Sequence, residues 1–167
     1  EVIMPKKEVL SWHALMTRVL QKAQKLKTST YASFNVRNVY FFNETMPPQE
    51  LIPDIPKYMH MLQHVNRAPT YTQPGSCIKS FHNPELVLSI HNHFPFACLS
   101  DSCDSFDIDT EDAQLQHYRV DCGNNLNLTA CNDLKKTTVR DTTIHKFKVQ
   151  LILRSSLVLK ALGFYKS

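Results

Sequence analysis

The stretch Tyr31-Ala32-Ser33-Phe34-Asn35-Val36-Arg37-Asn38-Val39-Tyr40-Phe41-Phe42 decides the fold class. It is dense in aromatic and β-branched residues and is broken once, at Arg37-Asn38. It therefore reads as two consecutive extended runs, 31–36 and 38–42. Upstream, Trp12, Leu15, Met16, Val19, Leu20, Ala23 and Leu26 recur at three- and four-residue steps. That period predicts a helix from Ser11 to Lys27 with these residues on one packed face. Ser11 suits its N-cap, and Lys22, Lys25 and Lys27 suit the negative end of its dipole. A long helix beside strands makes the chain α/β.

Working outward, Pro47, Pro48, Pro53 and Pro56 force an irregular connection. The segment Tyr58 to Val65 fits a strand or a short helix, and periodicity leaves both open. Two short strand-like runs follow, Cys77 to Phe81 and Leu86 to His91, separated by the turn signal Asn83-Pro84. Cys98 to Asp112 carries six acidic residues and reads as a loop. Ala113 to Val120 reads as a buried or half-buried strand. The last element runs from Thr143 to Leu162 as a helix, with Asp141 a candidate N-cap and Gly163 just past its end. The expected architecture is thus mixed short strands with two long helices.

Composition narrows the function. The chain has 167 residues, 43% hydrophobic and 20% charged, with a net charge of +4. The apolar fraction excludes a disordered tail, and no apolar run approaches the ~20 residues that span a bilayer. Only three glycines occur, Gly75, Gly123 and Gly163. They lie too far apart for a glycine cradle around phosphates. The basic surplus is spread over Arg18, Lys22, Lys25, Lys27 and residues 135–160, without the dense stripe of a nucleic-acid binder. The chain starts at Glu1, without an initiator Met or signal sequence, which predicts a fragment.

The five cysteines contain no C-x-x-C, which argues against a structural zinc site. Cys98 and Cys103 flank one short loop, and Cys122 and Cys131 flank another. Both spacings suit small disulfide rings in an oxidising compartment, with buried cytosolic thiols as the alternative. Two glycosylation sequons, at Asn43 and Asn127, favour the secretory pathway.

Three stretches carry more than structure: Ser33-Phe34-Asn35-Val36-Arg37-Asn38-Val39-Tyr40-Phe41, Lys79-Ser80-Phe81-His82-Asn83-Pro84-Glu85, and Gln114-Leu115-Gln116-His117-Tyr118-Arg119. In that order they resemble glycosyltransferase family 92, with its F-x-x-R-N-V-x-F strand, K-S-I-x-x-P-E segment and H-Y-R strand. The tail from Asp141 to Phe164 is similar to that family's final helix. The resemblance implies a Golgi membrane protein that transfers a hexose, typically galactose, from a UDP-sugar to a glycan or glycoprotein acceptor on the lumenal side. It also implies a GT-A, Rossmann-like fold with a metal-binding D-x-D-E motif followed by an apolar V-I-x-P run. This chain opens Glu1-Val2-Ile3-Met4-Pro5, matching the end of that motif. The expectation is therefore the C-terminal portion of a single glycosyltransferase domain over 1–167. The nucleotide-binding half and membrane anchor would lie upstream, and the fragment alone would be inactive.

The chemistry of a departing UDP calls for a divalent cation, with Mn2+ expected, to neutralise charge on the diphosphate. The resemblance places Glu1 at the metal, and His117 is the candidate imidazole ligand, with a hydrogen-bonded core histidine as the alternative. Arg119 lies two residues on, on the same strand face, and is a candidate phosphate contact. Arg37 and Lys79 are the other candidates for the donor, each with a structural alternative. His91 and His93 share a strand face and are read as acceptor-side residues or plain packing. A catalytic base would be a carboxylate, and Glu1, Asp54, Glu85 and the acidic stretch 101–112 all remain open. Two other readings compete: a secreted, disulfide-stabilised glycan-binding module, and an inactive paralogue serving as an interaction domain.

Overall fold

The computed structural model describes residues 1–6, 8–26, 30–101, 103–120, 122, 127–136 and 138–164. Lys27, placed at the end of the first helix, and Gly123, placed in the second cysteine loop, lie outside them. The chain divides into two compact units, one of Glu1–Tyr40 with Thr70–His117, the other of Phe41–Pro69 with Tyr118–Ser167.

In the first unit, β1 (Val2–Pro5) runs antiparallel to β9 (Ala113–Arg119), with Val2 opposite Gln116 and Ile3 opposite Leu115. Strand β2 (Ser33–Val36) is central in a second sheet. It lies antiparallel to β5 (Lys79–His82) and parallel to β8 (Ser105–Asp107). Strands β6 (Val87–Ile90) and β7 (Pro95–Cys98) form a hairpin. Helix α1 (Trp12–Leu26) lays Leu15, Val19 and Ala23 onto Phe34, Val36, Ile108, Ala113 and Leu115, and this is the unit's core. The stripe is narrower than its sequence period suggests, because Trp12, Leu20 and Leu26 are exposed. Ser11 caps the helix, its Oγ accepting the Ala14 N–H at 3.1 Å.

The second unit holds the end of β3 (Asn38–Phe42), α2 (His60–Gln63), β4 (Asn66–Arg67), α3 (Leu128–Lys136), β10 (Val139–Arg140) and α4 (Lys148–Ala161). The proline-rich connection cannot supply enough backbone donors, and two glutamines fasten it instead. Buried Gln63 accepts the Ile52 N–H at 2.7 Å and donates to the Ile55 carbonyl at 2.7 Å. Gln49 Oε1 accepts the N–H groups of Val65 and Asn66. Asp141 pairs with Arg67 and accepts the Thr143 N–H, so it serves the first turn of the C-terminal helical segment. That turn, Thr143–Phe147, is 3-10 before α4 begins. Gly163, at φ 79°, closes the far end, with the Phe164 N–H returning to the Leu159 carbonyl.

The two expected long helices are α1 and α4, and two shorter ones, α2 and α3, join them among the described residues. Two expectations need correction. The acidic stretch is not all loop, since β8 pairs inside it along β2. Strand β7 completes a hairpin that the sequence signals only on its β6 side. Disulfides join Cys98 to Cys103 and Cys122 to Cys131, and Cys77 is a free thiol. No helix among the described residues is long and apolar enough to cross a membrane.

Candidate functional site

The register of β1 against β9 builds the site. Val2 opposes Gln116, so the next step along both strands sets Glu1 beside His117. Glu1 Oε1 lies 3.4 Å from His117 Nδ1, a contact that is charged on both sides only when the imidazole is protonated. The other carboxylate oxygen, Oε2, lies 3.2 Å from Lys79 Nζ at the start of β5. All three side chains are about three-quarters buried. The Tyr40 ring sits 5.4 Å from the imidazole, centre to centre.

Lys79 is held from its far side. Its ammonium donates to Asn92 Oδ1 at 2.8 Å and to the Asn92 carbonyl at 3.2 Å, in the turn of the β6–β7 hairpin. Burial alone would raise the Glu1 carboxyl pKa. The Lys79 hydrogen bond and the charges of His117 and Lys79 outweigh it and hold that carboxyl below its ordinary value. The site therefore presents a stable carboxylate, an imidazole and an ammonium within one cluster.

Other sequence-derived candidates have contacts of their own. The Arg37 guanidinium donates twice to the Thr72 carbonyl, at 3.1 and 2.8 Å, and stacks over Tyr71, which is a structural role for that pair of bonds. Arg119 belongs to the second unit, where its carbonyl accepts the Asn43 N–H. His91 stacks on Phe94 at 4.6 Å, and His93 donates from Nδ1 to the Ile78 carbonyl at 2.8 Å. Within the acidic stretch, Asp112 is buried against Arg18 and Lys22, and Asp107 accepts from Asn35. Both are spent on structure. Asp54 and Glu85 are exposed, as are the sequon residues Asn43 and Asn127. Asn92 and Tyr40 escape a reading by motif. Asn92 lies between two noticed histidines, but no spacing rule links residue 92 to residue 79.

The donors at Glu1 and His117 are of the kind a divalent cation of the Mn2+ type accepts, oxygen and imidazole nitrogen. They are two, and among the described residues no group of three or more His, Cys, Asp or Glu is placed to hold a metal ion. The pair fits such a cation in chemistry and would supply part of a coordination shell.

The mixed α/β architecture is consistent with a glycosyltransferase domain, and residues 1–154 match the model of Glycosyltransferase family 92. That match covers most of the chain, which belongs to this family. No curated protein and no solved structure matches it.

Proposed function

We propose that this domain serves transfer of a hexose, galactose in the first instance, from a UDP-sugar to a glycan or glycoprotein acceptor in the Golgi lumen. The observation that carries the proposal is the Glu1–His117 contact of 3.4 Å, with Lys79 on the other carboxylate oxygen. A divalent cation, Mn2+ by this reading, would supply Lewis-acid neutralisation of the charge that develops on the diphosphate as UDP departs from the transferred sugar. Glu1 and His117 would hold it.

The chain's own groups have separable tasks. Glu1 stays ionised because the Lys79 hydrogen bond and charge favour its charged form, so it needs no proton loss before accepting a cation. His117 must present Nδ1 as a lone pair to act as a ligand, with its remaining proton on Nε2. Lys79 carries a positive charge that suits a phosphate oxygen, and Asn92 keeps that charge at the cluster. The two disulfides and the two exposed sequons support an oxidising, glycosylating compartment.

The test is transfer by the full-length protein from a panel of UDP-hexoses, titrated with Mn2+. His117→Ala is expected to raise the Mn2+ requirement at least roughly 10–100-fold, since even residues behind a metal ligand have effects of that size. Transfer with unchanged Mn2+ dependence in His117→Ala would remove the imidazole from the site.

A further inference from the structure

We infer that the cleft under the tip of the β6–β7 hairpin is a subsite for one pyranose ring of the acceptor, with Phe94 as its stacking wall. The inference rests on the transferase reading only for the word acceptor; the sugar site itself stands on geometry. The cleft has a volume of about 310 Å3 and is lined by Phe94, Pro95, Ser33, Asn35, Ser105 and Cys103. That is the small end of ligand pockets, which run roughly 300–1,000 Å3, and suits a single sugar ring better than a larger group.

The lining has the two chemistries a sugar needs. Phe94 stacks on His91 yet remains 44% exposed, so it offers an aromatic surface to the polarised C–H face of a pyranose. At the exposed edge Ser105 offers a hydroxyl to a sugar, while Ser33 and Asn35 are buried and form the polar floor of the cleft. These groups are ordered by a hydrogen-bond chain. Asn35 Nδ2 donates to Asp107 at 2.9 Å, and Ser80 Oγ donates to Asn35 Oδ1 at 2.8 Å. Ser80 Oγ also lies 2.9 Å from the His93 carbonyl, which ties the hairpin turn to β2. The disulfide Cys98–Cys103 closes the outer wall.

Position argues for an acceptor rather than a remote lectin site. The turn that carries Phe94 also carries Asn92, which holds Lys79 against Glu1. A sugar seated on Phe94 is thus next to the turn that positions the donor cluster. Exposed apolar residues continue along the hairpin at Leu88, Ile90 and Phe96. A lipid or protein partner would use that apolar face, whereas polar groups interrupt the apolar surface at the tip.

The probe is methyl β-D-galactopyranoside, whose C–H bonds cluster on one ring face, read by saturation-transfer NMR on the full-length protein without nucleotide or metal. Binding is expected, weakened about tenfold in Phe94→Ala and retained in Phe94→Trp. Ser105→Trp, which fills the cleft from its exposed edge, is expected to abolish it. Absence of binding in the unaltered protein, or binding in Phe94→Ala and Ser105→Trp as strong as in the unaltered protein, overturns the inference. So does exclusive binding of the hairpin to anionic vesicles or to a second copy of the chain. Because the probe needs neither metal nor UDP, sugar binding that persists while His117→Ala leaves Mn2+ dependence unchanged would sink the transferase site and leave this one standing.

Discussion

Asp112 gives the sharpest energetic prediction, because its two sides are unequally buried. Its side chain is 1% exposed, whereas those of Arg18 and Lys22, one turn apart on α1, are each 40% exposed. Arg18 Nε lies 3.0 Å from one carboxylate oxygen and Lys22 Nζ meets the other. Removing both cations as Arg18→Met/Lys22→Met keeps helix propensity but takes two cationic partners from an anion buried inside the unit, at a cost of about 3–5 kcal/mol. Removing the anion as Asp112→Asn frees two cations that water already reaches, and the lost charged hydrogen bonds cost about 1.5–3 kcal/mol. The Asp112 carbonyl keeps the Lys6 N–H in both variants, so the backbone tie at 2.7 Å is common to them. For a chain of this length each kcal/mol moves the melting temperature by about 2–4 °C. Thermal unfolding followed by circular dichroism should therefore show falls of roughly 6–20 °C for the double variant and roughly 3–12 °C for Asp112→Asn. If Asp112→Asn is the more destabilised of the two, the reasoning from unequal burial fails.

Two further predictions concern titration and covalent ties. Burial first, and the charge of His60 second, hold His64 below its ordinary value of 6.5; burial does the same for His82. The unfolded chain then binds these protons more readily than the native one, so stability present above about pH 6.5 is lost as pH falls through the two folded values. Urea midpoints should drop over that window, and His60→Ala should move His64 back towards 6.5 by NMR; an unmoved His64 contradicts the cause. The disulfides close loops at separations of 5 and 9 residues, and removing either pair by serine substitution should cost about 2–3 kcal/mol. Melting curves that superimpose would refute this.

Much of the fold was legible because single elements announced themselves locally. Ser11, the apolar period behind it and Gly163 at the far end are capping and packing signals that need no tertiary information. The aromatic run around Arg37-Asn38 likewise became β2 and β3, with nearly all of its residues buried. Helix α3 stayed hidden because Leu128–Lys136 has almost no apolar face, with Cys131 its one buried residue. Its cap was nonetheless readable, since Asn127 Oδ1 accepts the Ala130 N–H at 2.8 Å. Strand β8 hid for a different reason: an acidic segment becomes a strand only through pairing with β2, a partner some seventy positions away in sequence (Ser33 with Ser105). The candidate site divides the same way. Glu1, Lys79 and His117 lie in recognisable stretches, while Asn92 joins them only through a hairpin turn folded against β5.

The most direct measurement uses Mn2+ as a paramagnetic probe of ring protons in the full-length protein. Substoichiometric Mn2+ should broaden the His117 ring resonances selectively, and Glu1→Gln should abolish that broadening while leaving the shifts of Tyr40 nearly in place. Broadening centred on other residues, with the His117 signals sharp throughout, would show that the carboxylate and imidazole brought together by β1 and β9 are not where the cation binds.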